Sequence, residues 1–190
     1  MPRALAELNW PVRTARLSLR PATPVDVETT WRFRRLPEVT QWLTAAGDLE
    51  DYRARFLDPG RLVTTLVIEH EGTVVGDLML RVEDAWAQDE VADQARGVQA
   101  ELGWTLDPAY RGRGLASEAV RELLRISFEE LGLRRVIAQC FADNIASWRI
   151  MERVGMRREG HTVADSLHRS GQWLDAVEYA LLADEWRAGR

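Results

Sequence analysis

The chain contains 190 residues, of which 46% are hydrophobic and 29% are charged. This composition is typical of a single globular domain with a sizeable core. The formal net charge of −5 argues against a nucleic-acid-binding protein, because such proteins usually carry a basic surface. No apolar run approaches the roughly 18–20 residues that a membrane span needs, so we also expect no membrane partner.

The start of the chain and its cysteine content are typical of a cytoplasmic protein. Residues 1–8 include an acid, Glu7, and no long apolar core, which argues against a signal peptide. Cys140 is the only cysteine, so an intramolecular disulfide framework is excluded. Together with the three scattered histidines, this argues against a structural zinc site, and we expect no metal.

The first third of the chain predicts a strand, two helices and a hairpin. Leu17–Arg20 alternates apolar and polar residues and is predicted as the first strand. Thr23–Asp26 has a threonine cap, a proline at the first helical position and an acid three residues after the cap, which predicts a helix ending near Arg34. A second helix and the two strands of a β-hairpin are then predicted over Glu50–Leu57, Leu62–Glu69 and Thr73–Val82.

The segment Glu83–Gly97 is acidic and irregular. We interpret it as an exposed loop or the tip of a long hairpin, and a substrate lid or a dimer contact stays open as an alternative. Edge strands of the sheet and this segment could together form a homodimer.

Gln99–Leu106 predicts a strand with two distinct faces. Four apolar residues lie on one face, and Glu101, Gly103 and Thr105 lie on the other. The strand ends at Asp107-Pro108, and Ser117–Leu131 is the clearest helix in the chain. Its predicted buried stripe consists of Leu115, Ala116, Ala119, Val120, Leu123, Leu124, Ser127, Phe128 and Leu131.

The last third of the chain returns to strands. Asn144 is predicted to cap a short helix that runs to about Val154. The predicted strands of this part are Arg135–Phe141, Met156–Leu167 and Trp173–Leu182. Helices lie between strands in the middle of the chain, and consecutive strands lie at both ends. This order favours an α+β (or mixed α/β) domain with a mixed sheet.

A glycine-rich loop between the strand and the long helix has the character of an anion site. The first N–H groups of a helix have no intrahelical partners, and the helix dipole adds partial positive charge there. Glycines allow a phosphate to approach the backbone, and arginines add charge. The loop consists of Arg111, Gly112, Arg113, Gly114, Leu115 and Ala116.

The identity of the anion is open at this point. A Walker A loop needs a Gly-Lys-Ser/Thr ending, which is absent here. The spacing Gly112-x-Gly114-x-x-Ser117 matches half of a dinucleotide-binding fingerprint. A tight strand-to-helix turn without any ligand is the third interpretation.

Several motifs together resemble the GNAT acetyltransferase superfamily. Arg-x-x-Gly-x-Ala after Leu-Asp-Pro-x-Tyr is similar to that family's loop for the pyrophosphate of CoA. Asn144-x-x-Ser147, followed by Glu152–Met156, is similar to a second family segment. The ending from Gly171 to Trp186 resembles the RimJ/RimL-type branch, the ribosomal-protein N-terminal acetyltransferases and their relatives.

The resemblance implies a fold and a cofactor. It implies one GNAT-like domain over residues 16–186, between an N-terminal extension (1–15) and a C-terminal tail (187–190). The sheet would have about seven strands, flanked by about four helices and splayed between its fourth and fifth strands, here Gln99–Leu106 and Arg135–Phe141. Acetyl-CoA would lie in this gap. Its pyrophosphate would bind residues 111–116, and its pantetheine arm would bind the backbone of Trp104, Thr105 and Leu106 and the side chain of Asn144.

The resemblance also suggests catalytic residues for direct transfer to an amine. Glu101 is the candidate base, because it lies on the polar face of its strand. Many members of the family place a tyrosine acid seven residues after the asparagine, but Met151 stands there and cannot donate a proton. The RimJ/RimL-type branch implies Ser147 as the acid instead. Glu101 as an exposed strand acid and Ser147 as a helix first-turn serine are the structural alternatives.

The predicted function is acetyl-CoA-dependent N-acetylation of a primary amine. The acceptor could be a protein N-terminus, a polyamine, an amino acid or an antibiotic, and the branch resemblance alone suggests a peptide. A non-catalytic acyl-CoA sensor and a transferase of a longer acyl group are the competing interpretations.

Overall fold

The computed structural model describes residues 5–189. The first four residues of the predicted N-terminal extension and the last residue of the predicted tail lie outside this range. One open mixed sheet has the strand order β1-β2-β3-β4-β5-β6-β8-β7. The strands are β1 (Val12–Arg13), β2 (Leu17–Pro21), β3 (Thr65–His70), β4 (Thr73–Glu83), β5 (Gln99–Leu106), β6 (Arg135–Phe141), β7 (Arg157–Leu167) and β8 (Trp173–Leu182).

The sheet confirms the predicted mixed α/β architecture, with eight strands where about seven were expected. The additional strand is β1, which pairs antiparallel with β2 and lies before residue 16. The helices are α1 (Val27–Arg34), α2 (Pro37–Thr40), α3 (Leu49–Phe56), α4 (Pro59–Leu62), α5 (Leu115–Arg125), α6 (Ile145–Arg153) and α7 (Ala183–Ala188). Three of them, α2, α4 and α7, have no counterpart in the sequence prediction.

The described residues form two compact units. The N-terminal unit contains residues 5–79 and 103–122, and the C-terminal unit contains residues 80–102 and 123–189. In the N-terminal unit β2, β3 and β4 form an antiparallel meander. Helices α1 and α3 pack on it around a buried core made of Ala22, Val27, Ala46, Tyr52, Phe56 and Val67.

The predicted helix start at Thr23–Asp26 is occupied by a 3₁₀-helical turn, Pro24–Asp26, and α1 begins directly after it at Val27. The Asp26 carboxylate accepts hydrogen bonds from the Thr23 backbone N–H at 2.8 Å and from the Thr23 hydroxyl at 2.9 Å. Arg20 of β2 donates to both oxygens of the same carboxylate at 2.8 Å. These bonds satisfy the buried acid and fix the point at which the chain leaves β2.

The C-terminal unit is built on β6, which has a neighbour on each side. On one side it pairs antiparallel with β8 along its whole length, and β8 pairs with β7. On the other side it pairs in parallel with β5 from Gln99↔Arg135 to Glu101↔Ile137, a stretch of three residue pairs. The described parallel ladder between β5 and β6 is limited to these three pairs.

Helix α5 ends earlier than its periodicity predicts. A π-helical turn, Ile126–Glu130, follows it, and Ser127 donates its hydroxyl hydrogen to the Leu123 carbonyl at 2.8 Å. The wider turn rotates the face of the helix, so that Ile126 is buried together with the predicted Ser127 and Phe128.

The segment after β4 forms a closed surface loop. Its base is held by a bond from the Ala85 N–H to the Ala95 carbonyl at 2.8 Å and by one from the Gly97 N–H to Asp84 at 2.8 Å. A 3₁₀-helical stretch, Asp89–Ala95, forms its tip, and Trp86 is 89% exposed. This agrees with the interpretation of the segment as an exposed loop.

Candidate active site

The glycine-rich loop follows β5 through a short capped turn. Asp107 donates its backbone N–H to the Val75 carbonyl at 2.8 Å, and its carboxylate accepts the Ala109 N–H at 2.9 Å. The loop itself bends at Gly112 and Gly114, which have φ values of +75° and +76°. This left-handed region is readily available only to glycine, so both glycines are required by the backbone path.

The loop opens directly onto the N-terminus of α5. The hydrogen-bond ladder of this eleven-residue helix begins with the Glu118 N–H, which donates to the Gly114 carbonyl at 3.1 Å. The N–H groups of the three residues before Glu118 precede that ladder and carry the positive end of the helix dipole. The loop is therefore a set of backbone donors suited to an anion.

Two exposed arginines flank these donors. Arg111 donates to the Glu38 carbonyl of α2 at 3.2 Å. The guanidinium of Arg113 lies 5.3 Å from the centroid of the Tyr110 ring. One contact is to a backbone carbonyl and the other is to an aromatic ring, so neither of them is an ion pair.

The end of β5 lies very close to β4. A Cβ atom on Gly76 would overlap the Thr105 carbonyl oxygen and lie 3.3 Å from the Cα of Leu106. The glycine is therefore required for the approach of the two backbones. Gly76 thus contacts residues 105 and 106, part of the stretch 104–106 whose backbone the family resemblance implies as the binding site for the pantetheine arm.

Glu101 is a mostly buried acid with a charged partner. Its side chain is 14% exposed, and its carboxylate pairs with the guanidinium of Arg81 on β4. Arg81 also donates to Glu83 at 2.6 Å, and the pKa of Arg81 is raised by this bond and by the charges of Glu101 and Glu83. Gln139 on β6 donates to the second carboxylate oxygen of Glu101 at 3.5 Å. The candidate base is thus held between two strands.

Asn144 and Ser147 lie together at the start of α6. The Asn144 side-chain oxygen accepts the Ser147 N–H at 3.4 Å, which confirms the predicted cap. The Ser147 hydroxyl contacts the thiol of Cys140 on β6. Burial raises the pKa of Cys140, and the hydrogen bond from Ser147 opposes this effect only in part. Burial therefore disfavours the thiolate form of Cys140, the form that acts as a nucleophile.

Met151 occupies the position where many relatives have a tyrosine. Its side chain is 1% exposed and belongs to the core. It cannot contribute a proton, in agreement with the sequence analysis.

The structure groups the predicted residues as follows. In the N-terminal unit, residues 104–106 and the glycine-rich loop (111–116) are consecutive parts of one backbone path. In the C-terminal unit, Glu101 is grouped with Arg81 and Gln139, and Asn144 with Ser147.

Three residues of these groups, Gly76, Arg81 and Gln139, were not predicted from the sequence. The alternation of Thr73–Val82 already places Arg81 on the same strand face as Asp77 and Met79, which was an available signal. The contacts of Gly76 and Gln139 arise from the pairing of strands, so no local pattern in the sequence indicates them.

Neither a metal site nor a membrane span is found between residues 5 and 189. No group of three or more His, Cys, Asp or Glu side chains in this range could hold a metal ion. None of the helices described there has the length and apolar character to cross a membrane.

A family profile and a solved structure both relate this chain to the GNAT acetyltransferases. The family profile described as "Acetyltransferase (GNAT) domain" matches residues 16–157. A crystal structure of a GNAT-family acetyltransferase from Bacillus anthracis superposes with a TM-score of 0.76 and 28% identity, covering 91% of this chain and 98% of that chain.

Two curated relatives each match slightly less than half of this chain. The uncharacterized N-acetyltransferase YnaD of Bacillus subtilis is 42% identical over 86 residues, 45% of this chain and 50% of YnaD. The [ribosomal protein uS5]-alanine N-acetyltransferase of Escherichia coli is 32% identical over 89 residues, 47% of this chain and 45% of that enzyme. The chain thus spans about half the length of these two relatives in the matches.

Proposed function

Because the chain belongs to the acetyltransferase (GNAT) domain family, we propose that it transfers an acetyl group from acetyl-CoA directly to a primary amine. Members of this family use acetyl-CoA as the acyl donor. The resemblance to the family, including its ribosomal-protein acetyltransferase branch, is confirmed by the profile match and by the relatives.

The observation that carries this proposal is the glycine-rich loop. It presents backbone N–H groups from two left-handed glycines and from the first turn of α5, with Arg111 and Arg113 exposed beside them. A pyrophosphate carries two negative charges in a compact group, which matches a cluster of short donors and two cations. In this proposal residues 111–116 hold the pyrophosphate of acetyl-CoA.

The pantetheine arm is assigned to backbone groups at the end of β5. The parallel ladder with β6 stops at Glu101, so the backbone groups of residues 104–106 are not used by that ladder. The arm contains two amides, which can pair with a strand backbone as another strand would. Asn144 uses its side-chain oxygen to cap α6, and its amide nitrogen would donate to the arm.

Glu101 is proposed as the base that accepts the proton of the amine. Acetyl-CoA supplies an activated thioester carbonyl when it is bound. The carboxylate of Glu101 is paired with the guanidinium of Arg81, and it is mostly shielded from water. It would take the amine proton directly or through a water chain as nitrogen attacks the carbonyl.

Ser147 is proposed as the acid for the departing thiolate of CoA. Its hydroxyl lies in the first turn of α6, where the helix dipole stabilises negative charge. It would donate its proton to the sulfur as the C–S bond breaks. Residue Met151 is buried and leaves this role to the serine.

The acceptor is proposed to be either a protein N-terminus or a small amine. The relative that acts on ribosomal protein uS5 supports a peptide acceptor by analogy. A non-catalytic acyl-CoA sensor is the second candidate function, favoured by one observation: the carboxylate of Glu101 is already engaged by Arg81.

A thiol-release screen tests the proposal. The protein is incubated with acetyl-CoA and with N-terminal peptides, polyamines, amino acids and aminoglycosides in separate reactions. We expect release of CoA with one acceptor class and an acetylated amine detected by mass spectrometry. Binding of acetyl-CoA without turnover of any acceptor would support the sensor and contradict the transferase.

A further inference from the structure

We propose that Arg16 is a positioning residue for the glycine-rich loop and that it sets the affinity of the loop for the pyrophosphate of CoA. Arg16 lies between β1 and β2, and its partner Arg113 lies 97 residues later in the chain. The inference rests on the proposed function, since it takes this loop as the CoA-binding element.

Arg16 and its neighbour Thr14 surround the carboxylate of Glu118. The Thr14 hydroxyl donates to Oε1 at 2.6 Å, and the Arg16 backbone N–H donates to the same oxygen at 2.9 Å. The Arg16 guanidinium donates to Oε2 through Nε at 2.7 Å and through Nη2 at 2.6 Å. The two carboxylate oxygens therefore receive four donors, and the Glu118 side chain is only 18% exposed.

Without these donors Glu118 would be an obstacle to an anion. It lies in the first turn of α5, where an acid commonly turns back onto the same N–H groups that would bind a phosphate. Burial would raise the pKa of Glu118, but the hydrogen bonds from Thr14 and Arg16 outweigh this effect and lower it. Glu118 is thus a fixed negative charge at an anion site, and Arg16 both neutralises it and directs it away from the helix N-terminus.

Arg16 also acts on the loop itself. Its Nη1 donates to the Arg113 carbonyl at 2.8 Å, which holds the orientation of the peptide between the two glycines. A carbonyl oxygen that pointed toward a phosphate would repel it, so fixing this carbonyl preserves the donor character of the loop. The Nη2 atom lies 3.6 Å from the position that a Cβ on Gly114 would take. The guanidinium therefore packs against the loop.

The test measures the affinity for CoA by isothermal titration calorimetry, together with KM and kcat for acetyl-CoA. We expect Arg16→Gln to weaken the binding of CoA and to raise KM by about tenfold, because it removes charge-assisted bonds and leaves Glu118 uncompensated. The value of kcat should stay within about twofold, since Arg16 contacts none of the proposed reacting groups. Arg16→Lys should restore part of the affinity.

The strand β2 offers a matched control. Arg20 forms ion pairs of the same kind with Asp26 and Glu69, both at 2.8 Å, away from the loop. Arg20→Gln should lower the thermal midpoint and leave the Kd for CoA unchanged. A double variant, Arg16→Gln with Glu118→Gln, should bind CoA more tightly than Arg16→Gln alone, because the uncompensated acid is gone.

The outcomes separate the inference from the proposed function. Unchanged affinity in Arg16→Gln, an equal loss in Arg20→Gln, or a double variant no tighter than the single one overturns the role of Arg16. If Arg16→Gln does not fold, Arg16→Lys is compared with the wild type. Weaker binding of CoA by Arg16→Lys then supports the role of Arg16, and equal binding overturns it. Absence of CoA binding in the wild type would overturn the proposed function itself.

Discussion

At the scale of single residues, the chemistry of the candidate site depends on acids held by arginines. Glu101 pairs with Arg81, and Glu118 pairs with Arg16. Arg81 lies on β4 and Arg16 lies in the turn between β1 and β2. In each case the acid lies in a position where an isolated charge would be unfavourable. Both pairings join residues distant in sequence, so the acids could be predicted from local patterns and their partners could not.

Replacement of Glu101 tests its role as the base. We expect Glu101→Gln to lower kcat/KM for the acceptor by about 10²–10⁴, because the isosteric amide cannot accept the proton. Thiol release measures this change. Glu83→Gln is the matched control, since Glu83 shares Arg81 as its partner and should keep the rate within about twofold. Equal losses in both variants would assign Arg81 and its acids a purely structural role.

The lowered pKa of Glu118 predicts a pH-dependent contribution to stability. Because the carboxylate is held below its usual pKa of 4.5, its contribution is fully present above pH 4.5 and is lost as the pH falls through the lower folded value. Urea unfolding measures the difference in the free energy of unfolding between pH 7 and pH 3. We expect Glu118→Gln to reduce this difference by about 1 kcal/mol. The exposed Glu90→Gln variant should change it by much less.

At the scale of elements, the sequence predicts long and strongly patterned segments best. The observed bounds of β5 and β6 equal the predicted ones, because apolar alternation and turn residues mark both ends. The cap at Asn144 is also as predicted, since its donor lies within three residues. Thr23 and Asp26 bond to each other, but they open a 3₁₀ turn, and α1 begins at Val27. The short helices α2, α4 and α7 have four to six residues, too few for a periodic signal.

The close approach of β4 and β5 at Gly76 is an element-scale feature that can be tested. Gly76→Ala places a methyl group against the Thr105 carbonyl, and we expect it to lower the free energy of unfolding by about 1–3 kcal/mol. The affinity for CoA should fall as well, because residues 104–106 are displaced. Chemical denaturation and calorimetry measure the two effects.

Gly160 provides the control for this substitution. It is also a strand glycine, but a Cβ there would be at an ordinary contact distance of 3.5 Å from Glu178. Gly160→Ala should therefore change stability by less than about 1 kcal/mol. A Gly76→Ala variant as stable as the wild type would show that the two strands can separate without cost.

At the scale of the whole molecule, family membership and the mixed sheet agree with the sequence analysis, whereas the identity of the acceptor stays open. The glycine-rich turn before α5 is encoded by consecutive residues and could be predicted, although α5 begins at Leu115, two residues earlier than predicted. Acceptor recognition depends on side chains from segments far apart in the sequence, and no local motif encodes it. The screen of acceptors proposed above addresses that question.

Calorimetric titration of the protein with acetyl-CoA tests the central claim most directly. Gly112→Asp should weaken binding by more than tenfold, since it adds a negative charge beside the pyrophosphate. Gly72→Asp is the matched control, because Gly72 has a similar φ of +78° and, like Gly112, has open space around it. It should bind acetyl-CoA as the wild type does. Equal binding by the wild type and Gly112→Asp, or no binding by the wild type, would contradict the account.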